Sequence, residues 1–117
     1  MNIAFVSDEN YFPGLWVAVL SLVASSHDTS RLTIHVIDLG ISDASWIRLS
    51  EAVAKHPEPP TLLRKIFPRE QLDHYNLPGT RGPTPYARLF LPDLLNCDRV
   101  LYLDADLIVF RDILELE

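Results

Sequence analysis

The chain has 117 residues, enough for one small domain or for part of a larger one. Hydrophobic residues make up 48% and charged residues 22%, an ordinary globular balance that excludes a disordered chain. The net charge is -6 and no basic stripe exists to neutralise phosphates, which excludes nucleic acid as a partner.

Asn2 to Ser7 is a short apolar run ending in polar residues and predicts a buried first strand. Asp8 to Gly14 is a loop rich in turn formers. Within it, Asp8 and Asn10 could read a base edge or ribose hydroxyls, and the Tyr11 ring could stack on a base. The same three residue types are common in ordinary turns. Leu15 to Ser26 predicts a helix that is apolar almost all round, hence buried on more than one side. Pro13 suits its start. The N-terminus lacks a basic leader, and the run Leu15 to Ala24 is too short to span a bilayer. A cytoplasmic protein with no transmembrane segment is expected.

Leu32 to Leu39 predicts the second strand, broken by Gly40. Ser42 or Asp43 can cap a helix from Ala44 to about Lys55, with Trp46, Leu49 and Val53 on one face. The run His56 to Pro60 ends it. Thr61 to Phe67 predicts a third strand, and Pro68 to Leu72 a single helical turn. Tyr75 to Pro85, rich in Pro, Gly, Asn and Thr, predicts an active-site loop. Thr84 to Leu95 then resumes a helical pattern, capped by Thr84 and ended or kinked by Pro92. Arg88 lies on that helix. Its planar donor fork suits phosphate, although for a lone Arg a surface ion pair is the better reading. Cys97 is the single cysteine, which excludes an intrachain disulfide and suits a reducing compartment. No histidine or other base stands near it in sequence, which argues against a catalytic thiol.

Arg99 to Phe110 reads as a buried strand interrupted by Asp104 and Asp106. An ionised carboxylate in such a run is costly unless paired. Residues at i and i+2 of an extended segment share a face, roughly 7 Å apart, so the two carboxylates could converge on one hard cation. Oxygen ligands suit magnesium, manganese or calcium. Two solvated acids at a strand end are the simpler alternative, weakened here because Leu-Ile-Val-Phe follows at once. Asp112 to Glu117 begins a further element.

Alternating strands and helices predict an α/β fold with a mainly parallel sheet, whose ligands sit beyond the carboxyl ends of the strands. Asp8 follows the first strand, and Asp104 and Asp106 close the fourth, so residues distant in sequence are expected to meet at one edge. Clustered glycines after the first strand are missing, which argues against dinucleotide binding, and no Gly-Lys-Thr phosphate loop exists.

Three blocks carry a resemblance. They are Ile-Ala-Phe-Val-Ser-Asp-Glu-Asn-Tyr at the start, Thr84 to Leu95 (Thr-Pro-Tyr-Ala-Arg-Leu-Phe-Leu-Pro-Asp-Leu-Leu), and Asp98 to Val109 with its Asp-x-Asp. In order and spacing the chain resembles the N-terminal part of the retaining glycosyltransferases of family eight, which include bacterial lipopolysaccharide galactosyl- and glucosyltransferases and the glycogenins. The resemblance implies an A-type, Rossmann-like nucleotide-sugar fold, cut off after the Asp-x-Asp strand, with residues 1–117 forming one donor-binding domain. It implies a UDP-sugar donor, a saccharide acceptor and manganese, with magnesium as the alternative. Tyr11 then resembles the uracil-stacking position, Asp8 the residue on the base edge and Asn10 the one near the ribose. Val6 and Ser7 resemble strand-end positions lining the same pocket. Arg88 resembles an arginine close to the donor sugar and phosphates, Asp104 and Asp106 the metal pair, and Ala105 the residue between them against the ribose. None of these is expected to act as nucleophile or proton-transfer base.

Family members are usually more than twice as long. A third metal ligand, a His in a His-x-x-Gly-x-x-Lys block, would lie further on, as would the acceptor-binding elements. A lipopolysaccharide acceptor would place the full-length protein at the inner membrane face. Two other readings stand beside this one. One is an inactive piece that self-associates into a homo-oligomer through an open sheet edge. The other is a phosphatase of the haloacid-dehalogenase type, disfavoured because its Asp-x-Asp sits near the N-terminus and continues with Thr or Val where Ile108 stands.

Overall fold

The computed structural model describes residues 1–68, Glu70 and 84–117, with Thr84 and Pro85 described by their backbone alone. In chain order the elements are β1 (Asn2–Ser7), α1 (Phe12–Ser25), β2 (Thr33–Asp38), α2 (Asp43–Ala54), β3 (Thr61–Ile66) and β4 (Leu101–Tyr102). Short 3-10 stretches lie at Thr29–Arg31, before β2, at Thr84–Phe90, which runs into a short helix, Leu91–Leu94, before β4, and at Ile113–Leu116 after it. The expected helical turn at Pro68–Leu72 and most of the expected loop at Tyr75–Pro85 lie outside the described residues.

The sheet is parallel throughout, in the order β3-β2-β1-β4. β1 is its spine. It pairs with β2 from Asn2↔Thr33 to Ser7↔Asp38, and with β4 at Ile3↔Leu101 and Ala4↔Tyr102. Its residues are apolar on both sides because both faces are covered. Ile3 and Phe5 enter one core with α1, α2, Ile34 and Val36. Ala4 and Val6 enter a second core with Ile37, Leu39, Ala87, Leu91 and Leu95. Strands covered on both sides are read as continuous apolar runs for this reason. β3, by contrast, is an edge strand and mostly exposed, with Arg64 and Lys65 blunting it against further pairing.

Several expected boundaries move. α1 starts at Phe12 rather than Leu15, because Pro13 fits within a first turn whose N–H groups need no helical partner. Its sheet side is buried through Leu15, Ala18, Val19, Leu22 and Val23, while Val17 stays 45% exposed. α2 is capped by the Ser42 hydroxyl, which accepts from the Ser45 N–H at 3.1 Å. The expected helix Thr84–Leu95 is instead 3-10 for its first seven residues. Pro92 does not end a helix but lies in the first turn of the short one that follows.

The largest correction concerns Arg99–Phe110. Only Leu101 and Tyr102 form β4, with Leu103 N–H adding one more bond to the Ala4 carbonyl at 3.0 Å. Ala105 and Asp106 lie in a turn, and Leu107–Phe110 is not a strand. Asp104 and Asp106 are both exposed. Neither the extended-strand geometry nor the cost of burying charge therefore applies to them. Leu107 and Val109 still pack on the α1 side of the core, and Val109 N–H donates to Ser21 Oγ at 2.9 Å. Among the described residues, no helix is long and apolar enough to cross a membrane.

Candidate functional site

The strand order places the site. The chain leaves β1 for α1 and β2 on one side, while the Thr84–Leu94 segment covers the opposite face and returns through β4 on the other side of β1. The carboxyl ends of β1 and β4 thus flank a topological switch point, where parallel sheets open a ligand crevice. The Asp8–Tyr11 loop leaves one strand, and the Asp104–Asp106 turn lies just past the other. The expectation that these distant residues share an edge is met.

Asp8 is 6% exposed and accepts the Tyr11 N–H at 3.1 Å, a short local bond that shapes the loop. Asn10 is exposed, and Tyr11 is 45% exposed, so its ring is open to a planar partner. Val6 and Ser7 lie beneath the loop, Val6 in the second core and Ser7 fully buried with its hydroxyl donating to the Asp8 carbonyl at 3.0 Å. Ala105 is buried to 9%. Its carbonyl sits so close to α1 that a Cβ on Gly14 would stand 2.5 Å from it. The acidic turn therefore packs directly on the first turn of α1, which only glycine allows at that approach.

Arg88 and the acidic turn meet at Tyr102. Burial, then a hydrogen bond to the Asp104 carboxylate and its charge, push the Tyr102 hydroxyl up to about 12, with Asp106 adding to this and Arg88 acting in the opposite sense. The phenol is thus a neutral donor to the Asp104 carboxylate at any ordinary pH. Arg88 is itself exposed and lines a cavity of about 290 Å³ with Leu91, Leu95, Cys97 and Val100.

Sequence reasoning missed two carboxylates that shape this rim. Glu9, next to Asp8, crosses to the start of α2. Its Oε2 accepts the Ser42 N–H at 2.8 Å, and its Oε1 accepts the Ser42 and Ser45 hydroxyls at 3.1 and 2.7 Å. The Ser42 backbone bond, then the Ser45 hydroxyl, hold its carboxyl below the usual range. Asp38, at the end of β2, is 3% exposed. It accepts the Gly40 and Ile41 N–H groups at 2.7 and 2.5 Å and pairs with Arg64 Nε at 2.7 Å. Arg64 also reaches Asp43 and the Ile41 carbonyl, and its guanidinium lies over Trp46. A buried Asp closing a strand before Gly was the available signal for Asp38. Glu9 gave none, because its partners are more than thirty residues away.

Among the described residues, no group of three or more His, Cys, Asp or Glu side chains could enclose a metal ion. Asp104 and Asp106 offer two exposed hard oxygen donors on one turn. That set fits a magnesium- or manganese-like ion, which takes one or two carboxylates and completes its shell with phosphate oxygens and water.

Comparison with known proteins decides the family. The family model described as glycosyl transferase family 8 matches residues 2–117. The chain belongs to that family. A galacturonosyltransferase-like protein of Arabidopsis thaliana is 32% identical over 99% of this chain and 34% of its own length. A lipopolysaccharide 1,2-glucosyltransferase of Escherichia coli (strain K12) is 30% identical over 99% of this chain and 34% of its own length. Among solved structures, the galactosyltransferase LgtC, in complex with donor and acceptor sugar analogues, superposes with a TM-score of 0.82 at 33% identity, covering 99% of this chain and 41% of that one. The chain thus spans about a third of the length of the curated relatives it matches. The family 8 fold expected of the sequence, an A-type glycosyltransferase architecture, is the one observed.

Proposed function

We propose that this chain binds a UDP-sugar and contributes to metal-dependent transfer of a hexosyl group, galactose or glucose, to a saccharide acceptor with retention. The observation that carries the proposal is the meeting of the Asp8–Tyr11 loop and the Asp104–Asp106 turn at one switch point, packed together through Gly14 and Ala105. The relatives named as glucosyl- and galacturonosyltransferases, and the sugar analogues bound to LgtC, support the class of chemistry.

In this reading Tyr11 offers its open face to uracil, Asp8 meets the base edge and Asn10 the ribose. Val6, Ser7 and Ala105 shape the floor. Arg88 faces the donor phosphates as a planar cation. Asp104 and Asp106 would hold a manganese or magnesium ion. When bound, that ion supplies positive charge against the diphosphate leaving group. The neutral Tyr102 hydroxyl, hydrogen-bonded to the Asp104 carboxylate, orients that side chain.

The test is binding. Titration of the purified chain with UDP, with and without manganese, is expected to give saturable heat and a raised melting temperature, larger with the metal. Absence of any UDP effect at millimolar concentration would sink the proposal.

A further inference from the structure

The Asp8–Tyr11 loop is short, and three of its four residues are exposed. Two of its own bonds are local, from Tyr11 N–H to Asp8 Oδ1 at 3.1 Å and from Phe12 N–H to the Glu9 carbonyl at 3.3 Å. Bonds of that range shape a turn. Glu9 adds a bond set to a distant element. Its carboxylate receives three donors from the opening of α2, more than thirty residues away. Those donors belong to a rigid body. Ser45 is 8% exposed, α2 is rooted in the core through Leu49 and Val53, and the turn before it is held by Asp38 and Arg64. A carboxylate also suits the electropositive start of a helix.

Resting on the nucleotide-sugar reading above, we propose that Glu9 is a positioning residue for the nucleoside, latching the loop that carries Asp8, Asn10 and Tyr11 onto the first turn of α2. Glu9 does not touch the ligand. It fixes the register of the residues on either side, so that the base-edge carboxylate of Asp8 and the Tyr11 ring stand in place before binding. Because the bonds anchor the nucleoside loop and not the acidic turn, Glu9 acts on recognition of the base and leaves the diphosphate end alone.

The experiment is calorimetric titration of the whole chain with UDP, CDP and pyrophosphate in manganese, for the wild type and for Glu9→Ala, Glu9→Gln and Ser45→Ala. If the unlatched loop is competent about one time in ten, Glu9→Ala raises the Kd for UDP about tenfold. It also narrows the preference for UDP over CDP and leaves pyrophosphate within about twofold. Glu9→Gln recovers part of the loss, since its amide oxygen can still accept the Ser42 N–H. Ser45→Ala, which alters only the far end of the latch, shifts UDP in the same direction by less and carries the test should Glu9→Ala fold poorly. An unchanged UDP affinity and base preference in Glu9→Ala, or an equal loss for UDP and pyrophosphate, overturns the proposal while leaving the nucleotide reading intact. A wild type that binds no UDP overturns both.

Discussion

Gly14→Ala separates two opposed effects by sign. Gly14 lies in the first turn of α1, where alanine in place of glycine stabilises a helix by at most about 1 kcal/mol. Against this, the new Cβ would stand 2.5 Å from the Ala105 carbonyl oxygen, where ordinary contact begins at 3.4 Å. The obstacle is backbone, so the turn itself must move by about 0.9 Å, and forced overpacking of this kind costs about 1–3 kcal/mol. The contact is expected to win, leaving a net loss of about 1 kcal/mol and a melting temperature lower by about 4 °C. The displaced turn carries Asp104 and Asp106. A shift near 1 Å in a positioned group can cost about a hundredfold, so UDP affinity in manganese should fall by at least about tenfold. Thermal denaturation by circular dichroism and calorimetric titration read the two quantities. A variant that melts higher than the wild type and binds UDP unchanged would refute the packing of the acidic turn on α1.

Other outcomes follow from the same rim. Asp38→Ala strips two backbone donors and Arg64 of a buried carboxylate; because Arg64 keeps Asp43 and the Ile41 carbonyl, the loss should lie near the low end of the range for a broken buried pair, about 3 kcal/mol by urea denaturation, and a loss under about 1 kcal/mol would show the network to be dispensable. Asp104→Asn and Asp106→Asn, at exposed positions, should fold as the wild type yet lose the manganese-dependent part of UDP affinity; retention of that part in both variants contradicts the metal assignment. Glu9 has its folded carboxyl below the ordinary 4.5, chiefly through the Ser42 N–H, so its contribution is fully present above 4.5 and disappears as pH falls through the lowered folded value. The stability gap between wild type and Glu9→Gln should therefore close on acidification, and a gap that widens below 4.5 would reverse the assignment.

The fold was legible because both faces of the sheet are covered. Asn2–Ser7 and Leu32–Leu39 are apolar runs for that reason, and the strand-helix alternation that carries them implies parallel pairing. β4 was misjudged by the same rule. Leu101 to Phe110 is as apolar as β1, but only two of its residues pair; Leu103, Leu107 and Val109 pack on the α1 side, while Ile108 and Phe110 stay exposed. Hydrophobicity alone does not report strand pairing, since Leu107 and Val109 are partly buried without belonging to a strand. The 3-10 form of Thr84–Phe90 was also hidden, since 3.0 and 3.6 residues per turn are hard to tell apart over seven residues. At the site, Asp8 and the Asp-x-Asp pair announced themselves as charges at strand ends. Glu9, Gly14 and Tyr102 did not, because each owes its role to a partner or neighbour that folding supplies.

Two of these residues, Glu9 and Gly14, tie the nucleoside loop and the acidic turn to one segment of the chain. The segment from Asp8 to Gly14 runs from the end of β1 into α1, and it is gripped at both ends. At its front, Glu9 fixes it to α2. At its back, Gly14 lets the Ala105 carbonyl rest against α1. Movement of the acidic turn would press on the same helix turn that carries Tyr11 at its cap. On the proposed reading, the spacing between the Tyr11 ring and the Asp104–Asp106 pair is thus set by the packing of the acidic turn on α1 and by the Glu9 latch. A rigid spacing of this kind selects ligands by length. If the proposed function holds, a nucleoside diphosphate spans base to metal, whereas a nucleoside alone or a diphosphate alone engages one end, so affinity for UDP should exceed that for uridine and for pyrophosphate by more than either fragment suggests. Truncating the ligand from either end measures that rigidity directly. Simple additivity of the fragment affinities, with no gain from linking them, would mean that the loop and the turn move independently.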